Sequence, residues 1–413
     1  MRAILSAPGS RGDVNPMIAI GKSLRQAGHD VVISLAQPYA EIAESAGLTV
    51  ESVIDRQRFT ELLGNEHVWK PIRGALAVFR QISRDYMPLH EEVIRKHHIA
   101  GETILVSHPL DLASRVIRDA DPTTPLVDVQ PQPVILRTYD SPPRLSPWWF
   151  EISRPEWALR AAYWLVDQIA IDPIVRSPVN RMRASYGLAP VRRIYDQWWM
   201  SPDRILAMYP DWFAPATKSF CPRLVHCGFP LTDVDGGGFD PPGNRPIAFT
   251  AGSAHHHCRQ FFDWAVEACA QLDRPGLLLS TFAENFPSAL PASIQTMGYA
   301  SFSQLLPHCS AIVHHGGVGT TSQALAAAVP QVIRPMAFDQ FDNATRVEKL
   351  GCGRWLRRDR HLADTLQAVL DDQSTDDSAL KEAAQKLIGS DEPTAAAREI
   401  QRVFEQHRAS GST

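Results

Sequence analysis

Residue types that could do chemistry cluster at three places in this chain. The first is His314-His315-Gly316-Gly317-Val318-Gly319-Thr320-Thr321-Ser322. An apolar, strand-like run (310–313) precedes it, and a strong helix former (323–328) follows. The glycines let backbone approach a ligand closely, and the helix start offers unpaired N–H groups at the positive end of its dipole. A strand, glycine turn and helix start of this kind is an anion site, and either histidine can add a donor. Without a ligand the same residues make an ordinary strand–helix corner. The second place is Gly9-Ser10-Arg11-Gly12-Asp13, just past the first strand, and the third is His108, at the end of a buried strand (103–107). Both lie where ligands sit in parallel sheets, at the carboxyl ends of strands. The glycine spacing at 9–12 is not the dinucleotide fingerprint, and no Walker lysine follows.

These groups must be carried by ordinary globular domains. The chain has 413 residues, with 44% hydrophobic and 21% charged, in the range of soluble proteins with two domains. Its 41 basic and 45 acidic residues leave a net charge of −4, which argues against nucleic acid as a partner. The apolar run at 3–7 is too short for a signal segment and reads as a first strand. No apolar stretch is long enough to span a bilayer. Cys221, Cys227, Cys258, Cys269, Cys309 and Cys352 form no CxxC pair. They read as scattered thiols, so a cytoplasmic location is expected.

Strands at 2–7, 30–35, 48–54, 103–107 and 126–129 alternate with helices at 16–27, 39–46, 72–98 and 109–120. Asn15 is expected to cap the first helix, with Pro16 at its first position. A proline-rich loop (130–155) carrying Trp148-Trp149-Phe150 leads to a helical stretch at 155–186. Eight of the ten tryptophans precede residue 230, either as packing material or as the wall of an apolar cleft. Residues 229–245, rich in glycine and proline, read as a linker. The strand–helix alternation then restarts, with strands at 246–250, 276–281, 294–298, 310–313 and 331–334, and ends in amphipathic helices at 362–370, 379–388 and 394–407. This alternation predicts an α/β fold of two doubly wound, Rossmann-like domains facing across a cleft. The domains are expected at 1–228 and 246–390, with 391–413 a terminal helix and tail packing back on the first domain.

Four stretches together resemble the nucleotide-sugar glycosyltransferases of the GT-B fold, in the glycopeptide-antibiotic and sterol branch of the UDP-glycosyltransferase superfamily. Gly9-Ser10-Arg11-Gly12-Asp13-Val14-Asn15-Pro16 matches that branch's GSRGDVxP signature. His314-His315-Gly316-Gly317-Val318-Gly319-Thr320 matches its HHGGxGT donor loop. Asp339-Gln340 stands where the family closes its donor motif with Asp/Glu-Gln, and Tyr299 where many members stack an aromatic on the base. The resemblance spans essentially the whole chain, but nothing specific is recognised at 55–100 and 130–200.

The resemblance implies transfer of a hexose from a UDP- or dTDP-sugar to a hydroxyl of a lipophilic or aromatic small molecule, with inversion. It assigns the donor diphosphate to His315 with Gly317, Val318, Gly319 and Thr320, and to Ser10, Arg11 and Ser253. His314 would point back into the strand, although both histidines fit an anion site. Tyr299 would stack on the base, and Asp339 and Gln340 would accept from and donate to sugar hydroxyls. Alone, that last pair reads equally as a helix cap. An alcohol nucleophile needs a base, and the leaving diphosphate needs oriented donors. Many family members carry histidine where Asp13 stands and aspartate where His108 stands, so the two residue types look exchanged here. Asp13 is therefore expected as the base and His108 as its orienter or proton relay. UDP-users commonly hold the ribose with a glutamate eight positions after the loop histidine, where this chain has Gln323. UDP and dTDP both stay open. No acidic metal motif is present, so neither metal nor cofactor is expected.

Three other readings compete. A nucleotide-sugar-binding protein without catalysis would be expected to lack a base, which Asp13 argues against. A UDP-sugar epimerase needs no apolar cleft, and a phosphorylase needs a pyridoxal lysine for which Lys349, Lys381 and Lys386 offer no plausible context. A transferase working at a membrane surface gains no support from net charge, yet the loop at Trp148-Trp149 leaves weak contact open. His255-His256-His257 reads as loop surface rather than a metal site, because three consecutive residues cannot all face one ion. His97-His98 reads as a cation-favoured helix end.

Overall fold

The first strand, β1 (Arg2–Ala7), is buried at every position after Arg2, as a strand covered on both faces must be. Its side chains alternate between two cores. Ala3, Leu5 and Ala7 join Val31, Ile33 and Leu35 on one face, while Ile4 joins Val32 and Leu105 on the other. The computed structural model describes all residues except 65, 140, 148–154, 216–221, 233–242, 253–257, 299, 376, 390 and 412–413, and the side chains at 63, 66, 67, 373–375 and 411. The described chain forms two compact units, one of Met1–Pro143, Pro147–Pro230 and Asp391–Thr413, the other of Arg144–Ser146 and Leu231–Ser390.

The first unit is built on seven strands: β1, β2 (Asp30–Ala36), β3 (Thr49–Ile54), β4 (Thr103–Ser107), β5 (Leu126–Gln130), β6 (Arg204–Ala207) and β7 (Leu224–His226). Their order is β3-β2-β1-β4-β5-β6-β7, and every pairing is parallel. The chain runs outward one way from β1 and the other way from β4. The crevice at the carboxyl ends of these two strands is therefore the topological switch point, where such sheets bind ligands. The terminal helix Glu392–Gly411 packs against the helix Arg11–Gln26 and sends Ala396, Ile400, Val403 and Phe404 into the first core.

The second unit repeats the plan with β8 (Ile247–Thr250), β9 (Gly276–Leu279), β10 (Ile294–Met297), β11 (Ala311–His314), β12 (Gln331–Ile333) and β13 (Gly353–Trp355). The order is β10-β9-β8-β11-β12-β13, again all parallel, so the switch point falls between β8 and β11. Its core gathers Ile247 and Phe249 of β8, Val313 of β11 and Phe261 and Phe262 of the helix Arg259–Leu272. Both units are doubly wound Rossmann-like sheets, and together they make the GT-B fold.

Local differences from the expected elements have physical causes. The first helix begins at Arg11, five residues before the expected start, because Ser10 and not Asn15 is its cap. Asp13 reaches back so that its Oδ2 accepts the Ser10 N–H at 3.0 Å. Pro16 thus lies in the second turn rather than at the first position. The strands β6, β7 and β13 were not expected. They span only three or four residues each, too few to show a period of their own.

One buried carboxylate links the first unit's stability to pH. Asp128 on β5 is 4% exposed and accepts from Ser107 Oγ at 2.6 Å and from the Ser201 N–H at 2.5 Å. Burial pushes its pKa up from 3.8 to about 7. Between those values the folded chain holds a proton that the unfolded chain releases, so this group's stabilisation is full below pH 3.8 and is lost as pH rises through 7. Asp128→Asn mimics the protonated acid and should flatten this falling limb of stability, read by denaturant melts across the same range. An unchanged slope would mean that Asp128 ionises freely in the fold.

Candidate active site

In the first unit the site is assembled by two loops at the switch point. After β1 the backbone turns at Gly9, whose φ of +113° lies in the region that favours glycine. A Cβ there would overlap Asp13 Oδ2, so the turn also makes room for the carboxylate. Ser10 donates twice to that oxygen, from N–H at 3.0 Å and from Oγ at 3.3 Å. Asp13 Oδ1 is left facing His108 Nε2, 3.3 Å away, a contact short of a hydrogen bond. The imidazole is 1% exposed and the carboxylate 19%, so an incoming group meets the carboxylate first. Arg11, half-buried, opens the helix.

The tautomer of His108 follows from its surroundings. Its Nδ1 accepts the Leu110 N–H at 3.2 Å, so in the neutral ring the proton is on Nε2, the atom facing Asp13. His108 is therefore a donor toward the carboxylate and not itself an acceptor there. Its backbone is tied down as well. The His108 N–H donates to Ser6 Oγ at 3.0 Å, and the Asp111 N–H donates to the His108 carbonyl at 2.8 Å.

Behind this loop lies a buried polar chain that local sequence signals do not reveal. Asp111 Oδ1 accepts the N–H groups of Ala113 and Ser114, and Oδ2 accepts Ser114 Oγ and faces His90 Nε2 at 3.1 Å. His90 Nδ1 pairs with Ser34 Oγ at 2.6 Å, which pairs with the Tyr86 hydroxyl at 2.9 Å. All five residues are 4% exposed or less. The carboxyl of Asp111 is held below its usual range, against the cost of burial, by the His90 ring and the Ser114 donors. The carboxylate form persists, and with it the anchor of the loop that carries His108.

In the second unit the two histidines of the glycine loop take separate roles. His314 ends β11 and is 0% exposed. Its Nδ1 accepts the Gly316 N–H at 3.1 Å, and its Nε2 donates to Gln331 Oε1 at 2.9 Å. Burial pushes its pKa down to about 4, so the ring is neutral and both nitrogens are committed. His315 points the other way, as the next residue beyond a strand must. Its ring lies between two glycines. A Cβ on Gly252 would sit 2.6 Å from Cε1, and one on Gly317 would sit 2.5 Å from Nε2. Gly252 follows β8, so this ring sits at the second unit's own switch point. It borders a cavity of about 160 Å³ that Ala251, Trp264, Arg334 and Met336 also line.

Beyond the turn, Gly316 takes φ +95° and Gly317 caps the helix Val318–Ala326. The N–H groups of Val318, Gly319 and Thr320 open that helix and have no intrahelical acceptor to use. The first i→i−4 bond is from the Thr321 N–H to the Gly317 carbonyl, at 3.0 Å. Among the described residues a Cβ on Gly319 would meet nothing within 4 Å. Gln323 is 7% exposed, and its Nε2 reaches the Thr232 carbonyl at 3.5 Å.

Asp339 caps the helix Gln340–Lys349. Gln340 Oε1 accepts the N–H groups of Met336 and Ala337, at 2.8 and 3.0 Å. The acceptor end of this amide thus closes its own loop, and its Nε2 is the end left to donate. Asn343, which the sequence reading missed, joins the two loops. Its Nδ2 donates to the Gly316 carbonyl and to Asp339 Oδ2, both at 2.8 Å, from a fully buried position. An i+4 asparagine after a capping aspartate is a local pattern that could have drawn attention to it. Ser253, Tyr299, His255-His256-His257 and Trp148-Trp149-Phe150 lie outside the described residues.

Two parallel sheets, one ending in a glycine turn and a helix start and the other carrying a carboxylate–imidazole pair, suit a group-transfer enzyme. Comparison with known proteins agrees. Residues 264–405 match the family described as erythromycin biosynthesis protein CIII-like, C-terminal domain, and residues 3–95 match the glycosyltransferase family 28 N-terminal domain. The chain is 30% identical over 390 residues to the O-mycaminosyltylonolide 6-deoxyallosyltransferase of Streptomyces fradiae, covering 85% of this chain and 84% of that one. Among solved structures it is similar to the glycotransferase of kitacinnamycin, with a TM-score of 0.75 at 19% identity and 98% of both chains covered. It is also similar to the calicheamicin glycosyltransferase CalG4, with a TM-score of 0.70 at 19% identity, covering 98% of this chain and 99% of that one. The chain belongs to the nucleotide-sugar glycosyltransferases of the GT-B fold, in the branch that glycosylates natural products. It is a hexosyltransferase that uses a nucleotide sugar to glycosylate a small-molecule acceptor.

Proposed function

We propose that the enzyme works by a single inverting displacement without a metal, with Asp13 as general base, on a hydroxyl of a lipophilic or aromatic acceptor. The observation that carries this reading is the Asp13 carboxylate, whose Oδ2 is held by Ser10 and whose Oδ1 is faced by Nε2 of His108. In the displacement the acceptor oxygen attacks the anomeric carbon as its proton passes to Asp13. The bond from that carbon to the diphosphate oxygen breaks, and its electron pair leaves with the diphosphate. Negative charge then grows on the leaving group, where the N–H groups of Val318, Gly319 and Thr320 and the ring of His315 are the proposed donors. Asp339 and the Nε2 of Gln340 are proposed to hold sugar hydroxyls, with the acceptor bound by residues 1–228 and the donor by 246–390.

For the nucleotide, the neutral amide of Gln323 favours dTDP over UDP. A neutral amide lacks the charge with which a glutamate holds two ribose hydroxyls, and dTDP presents one fewer. The name of the Streptomyces fradiae relative, a 6-deoxyallosyltransferase, adds support for a deoxyhexose donor. The test is release of nucleoside diphosphate from a panel of UDP- and dTDP-sugars against macrolides, phenols and sterols, with chelator present. Acceptor-dependent release, faster with dTDP-deoxyhexoses and giving a product of inverted anomeric configuration, is expected. Retained configuration, or loss of turnover on chelation, would overturn the mechanism.

A further inference from the structure

Among the described residues nine large apolar side chains are exposed, and five of them fall within thirteen residues of one helix. They are Trp157 (72%), Trp164 (49%), Leu165 (50%), Val166 (46%) and Ile169 (69%). The helix runs unbroken through Glu156–Val166, a π-turn at Asp167–Ile171, and Asp172–Ser185. Leu159, Tyr163 and Asp167 form its buried side. At helical spacing Trp157, Trp164, Leu165 and Ile169 share the opposite side. A segment apolar all round normally has cover on every side, yet this one leaves its tryptophans in solvent.

The exposed charges left unpaired on this helix and in the loop after it are of one sign. Arg160, Arg176, Arg181, Arg192 and Arg193 are exposed, against the carboxylates of Glu156 and Asp196. Those two are already in ion pairs with Arg160 and Arg193. Asp167 and Asp172 are buried, Asp167 against Arg137. Arg176, Arg181 and Arg192 have no acidic partner among the described residues, in a chain whose net charge is −4. Arg176 lies seven positions after Ile169, on the same side of the helix.

We propose that this face rests on an anionic lipid bilayer, with the helix lying in the interface. The stripe has the chemistry of that boundary. Tryptophan prefers the headgroup level, aliphatic chains enter the acyl region, and arginine stems lie along the surface with their charges toward phosphate. No described helix is long and apolar enough to cross a membrane, so the contact is tangential. A second copy is the poorer occupant. A two-fold interface sets the same patch against itself, which would bring the unpaired arginines face to face.

The test is flotation of the full chain with phosphatidylcholine vesicles, with and without phosphatidylglycerol. Binding to the anionic vesicles should be about tenfold tighter or more, and should weaken with salt. The triple variant Trp157→Ser, Trp164→Ser, Ile169→Ser should lose the anionic binding while keeping its melting temperature and its thermal shift with dTDP. The variant Arg176→Glu, Arg181→Glu, Arg192→Glu should lose only the preference for anionic lipid. Wild-type chain that floats with neither vesicle, or a serine variant that floats as wild type does, overturns the proposal. So does a wild-type dimer in sedimentation that the serine variant splits, since the face would then belong to a second copy. No sugar donor or acceptor enters the flotation assay, so its outcome is independent of the catalytic reading.

Discussion

Asp13→Asn should lower kcat at saturating donor by roughly 10²–10⁴-fold while leaving the fold and nucleotide binding intact. The cap explains why the fold survives. Ser10 donates to Asp13 Oδ2 through both its N–H and its hydroxyl, so the amide oxygen of an asparagine would take that place. The amide nitrogen is then forced to the Oδ1 side, where it can no longer accept a proton from an acceptor alcohol. It also meets the Nε2–H of His108, donor against donor, where a carboxylate and a donor now face each other at 3.3 Å. Loss of the base and a turned imidazole therefore come together, whereas the helix start keeps its cap. The measurement is kcat with acceptor varied, beside a melt and a dTDP titration. Turnover within a few-fold of wild type would remove Asp13 from the mechanism and leave it a capping residue.

His315→Ala and His314→Ala should fail in opposite ways although the residues are adjacent. His315 lies between Gly252 and Gly317 beside the cavity, and its loss should cost on the order of 10²–10³-fold in kcat/KM with little change in melting. His314 is fully buried, and its loss leaves Gln331 Oε1 and the Gly316 N–H without the partners they have now. Each buried unpaired group of that kind costs about 1–3 kcal/mol, so the variant should melt earlier. Its pH signature should also differ. The folded ring titrates near 4 instead of 6.5, so its stabilisation is present above pH 6.5 and is lost as pH falls toward 4. That limb has the opposite sign to the one from Asp128, and each is seen only by comparison with its own variant. Equal losses of stability from both histidine substitutions would mean that His315 is a structural residue as well.

Much of this protein is local, and local features are legible. The strands β1, β2, β4, β8 and β11 are short apolar runs bounded by glycine, proline or histidine, and their burial on both faces follows from the composition. The strand–turn–helix form of the loop at 314–322 was legible from its glycines and the helix former after them. The start of the first helix was misplaced because Asn15 and Ser10 are both good caps. The choice between them came from Asp13, whose carboxylate could reach back only to Ser10. The edge strands β7 and β13 form because a finished neighbour offers them hydrogen bonds, a cause that no pattern in three residues carries.

The amino-acid order by itself determined the two repeating sheets, the glycine loop and the presence of a carboxylate and an imidazole after β1 and β4, because each depends on a few neighbouring residues. Tertiary structure alone decided what these groups do. Asp13 and His108 lie 95 positions apart and meet only because β1 pairs with β4 at the switch point. Which histidine turns inward depends on Gln331, waiting on the adjacent strand. The Asn343 clamp and the chain from Asp111 through His90 to Ser34 join residues from separate elements. A side chain's role is set by the partners that packing brings within about 3 Å, and packing is a property of the whole fold.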